Sequence, residues 1–168
     1  MKKLYITSGT HDYLQRISED NMLLLMEDDN EGILIHETEG EGLFESSRNY
    51  EVLDSTGSFD EAGFAVFNNI PVIDEGRSVF ENRFMNRARL IESEPGFVAI
   101  RVLRPLDTDT YIIMTLWDKQ ESFNKWQESK AYEKAHTKRG TSAGIDQQKS
   151  IFPRPSYVKT FVPPKLSE

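Results

Sequence analysis

Between residues 61 and 163 the hydrophobic period switches from two to 3.6 and back in a set order, and this order limits the possible folds more than any other feature. Phe64, Val66, Asn68, Ile70 and Val72 alternate with Ala65, Phe67, Asn69 and Pro71, a strand with two distinct faces. Val79–Ile91 carries apolar residues at 80, 84, 88 and 91 and is predicted helical. After the turn Glu94-Pro95-Gly96, Phe97–Leu103 and Tyr111–Trp117 are predicted strands. Asp118 and Glu121 have the spacing of a capping box, opening a helix that carries Phe123 and Trp126. Ser129 can cap a further short helix ending near His136–Arg139, with Gly140 as its stop, and Tyr157–Val162 is a last strand. The resulting β-α-β-β-α-β order is that of the ferredoxin-like split unit: an α+β fold in which helices cover one face of an antiparallel sheet.

The preceding residues, 1–60, are predicted to be mostly strand. Lys3–Ser8, Met22–Glu27 and Ile33–Thr38 have strand character, the last two joined through the turn Asp28–Gly32. Thr10 is a plausible N-cap for a short helix over 10–17, Tyr50–Leu53 is strand again, and Thr56-Gly57-Ser58 begins a connector. The expected division is therefore a β-rich half, 1–60, and a second domain, 61–168.

Composition removes several chemistries. Without cysteine there are no disulfides, no thiolate ligation and no iron–sulfur cluster. A net charge of −8 argues against a nucleic-acid partner. The chain shows no phosphate loop, GxGxxG fingerprint or nucleophile elbow. With no long apolar run and no signal-like start, no membrane span is expected and a cytoplasmic protein is.

Three histidines are available as ligands or bases. His11 reads as a solvated surface residue. His36 reads as a structural strand residue beside polar cross-strand neighbours. His136, at the end of a short helix, suits either an iron ligand or a cation placed favourably at a helix C-terminus. Trp126 lies three residues from Phe123 on one helical face, as a core residue or a ligand contact would. Asn68 interrupts an apolar strand face, where a buried amide needs either a backbone partner or a ligand.

Several stretches together resemble a known family. They are Glu94-Pro95-Gly96-Phe97, Arg101–Pro105, Tyr111–Trp117 with Thr115-x-Trp117, Phe123-x-x-Trp126, and Ser129 through Ala135-His136. Over 61–139 the chain resembles the antibiotic-biosynthesis-monooxygenase fold family, and within it the Isd-type haem-degrading monooxygenases. As a whole it is similar to a long Bacillus-type branch with an added N-terminal half, which a staphylococcal regulatory protein shares.

The resemblance implies haem as both cofactor and substrate. His136 would be the axial ligand to the iron, Trp126 would press on the porphyrin, and Asn68 would donate a hydrogen bond on the distal side. Counting back from Gly76 points to Asn69 in that role, whereas the strand face points to Asn68. The pocket would be an apolar slot between sheet and helices, with walls from Phe64, Val66, Ile70, Phe80 and Phe84. Dioxygen and an external electron donor would be needed, and a staphylobilin-type product is favoured. Short members pair their sheets into a dimeric barrel, so 1–60 would replace the second subunit and leave a monomer with one haem site. Two alternatives remain: a cofactor-free monooxygenase acting on a quinol or polyphenol, and a non-enzymatic regulator.

Overall fold

A computed structural model describes residues 2–10, 12–14, 16, 23–44, 46–86, 89–129 and 151–164. Eight strands form one antiparallel sheet: β1 (Lys3–Gly9), β2 (Leu24–Glu27), β3 (Gly32–Thr38), β4 (Arg48–Thr56), β5 (Phe64–Pro71), β6 (Phe97–Pro105), β7 (Thr110–Trp117) and β8 (Tyr157–Phe161). Their order is β2-β3-β1-β4-β6-β7-β5-β8. Strands β1–β4 thus form one contiguous block and β5–β8 the other. Numbered within its own block, each runs 2-3-1-4, so the N-terminal residues repeat the strand order of the C-terminal ones. In the first block the described helical residues are 12–14 and 16.

The blocks meet along two seams. β4 and β6 pair at six positions, from Tyr50↔Pro105 to Thr56↔Ile100, with a bulge between Val52 and Asp54. On the other side Glu27 and Val162 form an isolated bridge, with Glu27 N–H donating to Val162 O at 2.7 Å and Val162 N–H to Glu27 O at 2.8 Å. The sheet therefore curls until its edges meet, which removes most of the unpaired edge backbone.

Alternation along the strands sends one set of side chains inward. Leu4, Ile6, Met26, Ile33, Ile35 and Tyr50 of the first block meet Ala65, Phe67, Leu103, Ile112, Met114, Leu116 and Phe161 of the second. Arg101, 4% exposed, joins that interior. Its Nε and Nη2 donate to the Glu37 carboxylate at 2.5 and 3.2 Å, and its other N–H groups reach the carbonyls of Thr56, Gly57 and Ile100. All five guanidinium donors are thereby used, which is what makes a buried charge tolerable. Gly57 serves this cluster through its shape: φ is +83°, and a Cβ there would lie 2.0 Å from the Val98 carbonyl.

Among the described residues two α-helices pack on the outer face of the second block, α1 (Arg77–Met85) and α2 (Gln120–Gln127). α1 is shorter than the predicted 79–91. Asn86 closes it by donating its amide to the Asn82 carbonyl at 2.8 Å, the local competition that ends helices at Asn. Arg89 then turns left-handed at φ 58°, and a 3-10 turn over Leu90–Ser93 follows; position 88 of the predicted stripe lies outside the described residues. The capping box expected at Asp118 is also absent. Lys119 is the N-cap of α2, and Asp118 instead accepts from the Ser122 hydroxyl at 2.6 Å. The turn before β6 does form, with Gly96 at φ +85°. In the first block the expected helix survives as helical residues 12–14 and 16, capped by Thr10 Oγ1, which accepts from the Tyr13 amide at 3.3 Å. Among the described residues no helix is long and apolar enough to cross a membrane.

Candidate functional site

The outer face of the second block carries an aromatic and aliphatic surface. Phe64 and Val66 pack with Trp117, Phe97, Phe123 and Trp126. Further along β5, Ile70 packs with Phe80, Phe84 and Tyr111. Ile100, Val102 and Ile113 fill the middle. All five predicted wall residues, Phe64, Val66, Ile70, Phe80 and Phe84, thus fall on this one face. They form two patches, Phe64 and Val66 under α2, and Ile70 with Phe80 and Phe84 of α1.

Asn68 lies between these patches. Strand alternation puts it on the face of Val66 and Ile70, with Ile113 and Val158 as its cross-strand neighbours. It is half-buried, and among the described residues its amide makes no side-chain hydrogen bond. Asn69 is different. It is 3% exposed, shares the inward face with Ala65 and Phe67, and donates to the carbonyls of Phe67 (3.1 Å) and Tyr157 (3.5 Å). The backbone-satisfied amide is therefore Asn69, and the amide presented outward is Asn68.

Trp126, half-buried, stands with its ring centroid 5.9 Å from Trp117 and 6.1 Å from Phe123. In the sequence Trp117 enters through the Thr115-x-Trp117 strand end and carries no role at the site. It is fully buried, and its indole N–H donates to Thr115 Oγ1 at 3.1 Å. His136 and the short helix predicted from Ser129 lie outside the described residues, as does His11. Ser129 itself donates its hydroxyl to the Trp126 carbonyl at 2.6 Å, closing α2.

A polar network anchors α1, and it too was missed. Arg104 on β6 donates to both Glu81 oxygens, at 3.0 and 2.5 Å, and to Glu51 at 3.1 Å. Tyr111 also donates to Glu81, and Arg77 reaches the Tyr111 hydroxyl at 3.2 Å and the Pro105 carbonyl at 2.6 Å. Burial raises the Glu81 carboxyl, but hydrogen bonds from Arg104 and Tyr111 outweigh it and hold the group below its ordinary value. Burial, then the Glu81 carboxylate, push the Tyr111 phenol up to about 12. The network fixes the helix that carries Phe80 and Phe84.

His36 lies on the outer face of the first block, and its neighbours are aromatic, not the polar ones expected. Tyr5 is its cross-strand partner at 6.1 Å between ring centroids, and Phe44 meets it edge-on at 6.2 Å. Phe44, beyond the end of β3, reaches back to this ring, a contact that strand spacing alone does not reveal. Burial lowers the His36 pKa, and among the described residues its buried Nδ1 has no hydrogen-bond partner.

Two open clefts, of about 470 and 440 Å³, lie away from the Asn68 face: one beside Arg77 and Arg104, one beside Tyr5, Phe44 and Asn49. Among the described residues no cluster of His, Asp or Glu could hold a metal ion. A haem needs no such cluster. It asks for apolar walls, one axial ligand and a polar group over the iron. The described part of the Asn68 face fits that demand: aromatic and aliphatic on both sides, with one amide aimed outward.

The strand order, the curled sheet and the two outer helices define a ferredoxin-like α+β fold with an antiparallel, nearly closed sheet. Residues 63–138 match the family model of the antibiotic biosynthesis monooxygenases. The chain is 28% identical over 132 residues to a heme-degrading monooxygenase of Listeria monocytogenes, covering 77% of this chain and 79% of that one. It is 27% identical over 163 residues to the signal transduction protein TRAP of Staphylococcus aureus, covering 94% and 98%. The solved structure of a major regulator of staphylococcal pathogenesis, 24% identical, superposes with a TM-score of 0.83 over 97% of this chain and 99% of that one, which shows a shared fold.

Proposed function

We propose that the chain is a haem-degrading monooxygenase that binds haem on the outer face of its second block. The carrying observation is the Asn68 face itself, an outward amide set between two aromatic patches within the segment that matches the antibiotic biosynthesis monooxygenases. The Listeria relative supports the same reading.

Each residue then has a task. His136 would hold the haem iron. Phe64, Val66 and Trp126 would bound one side of the slot, and Ile70, Phe80 and Phe84 the other. Asn68 would donate its amide hydrogen bond toward the bound group, and Trp126 would pack against it. Haem would supply both the iron chemistry that activates oxygen and the carbon that is oxidised. Electrons come from an external donor, because the chain has no flavin or nicotinamide motif. The product is of the staphylobilin type. Residues 1–60 occupy the place of a second subunit, so the working form is a cytoplasmic monomer with one haem.

Titration of the apoprotein with hemin, followed by ascorbate in air with catalase present, tests this reading. One-to-one binding and steady loss of the Soret band are expected. Absence of saturable binding overturns it and favours the second reading, a regulator that works by partner binding, which the near full-length similarity to the staphylococcal signal transduction protein supports.

A further inference from the structure

Trp126 does not set its own position. α2 is a helix of eight residues, Gln120–Gln127, with Trp126 in its last turn, where a helix of that length holds a side chain only loosely. What stands behind the indole is Trp117. The two rings are 5.9 Å apart and inclined by 34°. Trp117 is also gripped edge-on by Phe97 (5.9 Å, 89°) and Phe123 (5.8 Å, 63°), and faces Phe64 across the β5–β7 ladder. Packing alone would leave such an indole a choice of ring orientations. The hydrogen bond to Thr115 Oγ1 removes that choice: Thr115 and Trp117 share a strand face, and the donor is a buried N–H with much to lose if left unpaired.

We infer that Thr115 and Trp117 are positioning residues for Trp126, with the Thr115 hydroxyl fixing the Trp117 indole and the Trp117 indole fixing the plane that Trp126 presents to the candidate site. In its consequence for haem this rests on the reading above; the coupling of the three side chains does not. Trp126 touches the ligand, and Thr115 and Trp117 act through it.

The chain holds two tryptophans, so an indole–indole couplet in the apoprotein arises from this pair. Two indoles at this separation should give an exciton couplet in far-ultraviolet circular dichroism. Thr115→Val should lose or invert the couplet, and Thr115→Ser, which keeps the acceptor, should restore it. In hemin-loaded protein, Thr115→Val and Trp117→Phe should shift the resonance Raman bands that report out-of-plane distortion and slow Soret loss by roughly ten-fold, as changes behind a ligand contact commonly do. Thr115→Ser should behave as wild type.

A wild-type protein without the couplet, or a Thr115→Val protein that unfolds cooperatively yet keeps both the couplet and the Raman bands, overturns the inference. If hemin fails to bind wild type, the haem reading falls, and the couplet series still decides whether Thr115 and Trp117 place Trp126. Should Trp117→Phe fail to fold, the threonine pair carries the test.

Discussion

The two blocks share a strand order and differ in what lies on their outer faces. The second is covered by α1 and α2 over a continuous apolar surface, with Asn68 as its polar interruption. Among the described residues the first has helical positions 12–14 and 16, and its outer face carries Tyr5, His36, Phe44 and Asn49. Both give their inward faces to one core. One sheet topology thus carries two different outer faces. The first block contributes closure and half of the interior.

The sharpest way to break this comparison is to remove one candidate ligand from each block. His136→Ala should abolish saturable hemin binding, while His36→Ala should leave it unchanged, both followed by the Soret band. Equal loss in the two variants would show that the blocks do not divide the work in this way.

Next comes the join between blocks. Glu37→Ala strands the Arg101 guanidinium inside the barrel and should destabilise the protein by about 3–5 kcal/mol in urea unfolding. A value near zero would mean that this ion pair adds nothing to the join. Phe80→Ala, on α1, should lower stability by about 3–5 kcal/mol as well. It should also weaken hemin binding, which Glu37→Ala should not do in the folded fraction.

Acid sharpens the comparison more gently. The Glu81 carboxyl lies below its ordinary 4.5 when folded, so its contribution is present above that pH and is lost as pH falls through the folded value. Glu81→Gln should therefore flatten stability against pH below about 4.5. His36 is lowered from 6.5 by burial, so the unfolded chain takes up the proton first and stability declines as pH falls below 6.5. His36→Phe should remove that decline. The two slopes occupy different pH windows, and a stability profile of each variant separates them.

Much of the second block is legible in the sequence because its signals are local. The alternation of Phe64–Val72 puts Asn68 with Val66 and Ile70, and the structure places all three on one face. Gly96 at a turn and Thr10 as a cap are likewise fixed by their immediate neighbours. What could not be read depends on distant partners. The capping box at Asp118 gives way to Ser122, one residue further on. His36 meets Phe44 from beyond the end of β3, and the 2-3-1-4 order of the first block is a matter of pairing, which strand spacing does not encode. Arg101 was visible as the lone charge in Phe97–Leu103, and its partner Glu37, 64 residues away in sequence, was not. Trp117 shows its role only when Trp126 is seen resting against it.

The unequal seams have a consequence for how the molecule breathes. Six paired positions join β4 to β6, and among the described residues one bridge joins β2 to β8. Thermal openings should begin where the fewest bonds must part, with the β4–β6 side as the axle. Amide hydrogens of Glu27 and Val162 should then exchange with solvent deuterium well before those bonded along the β4–β6 ladder. Water entering the barrel should come through one lengthwise slit, wetting Met26 and Phe161 first.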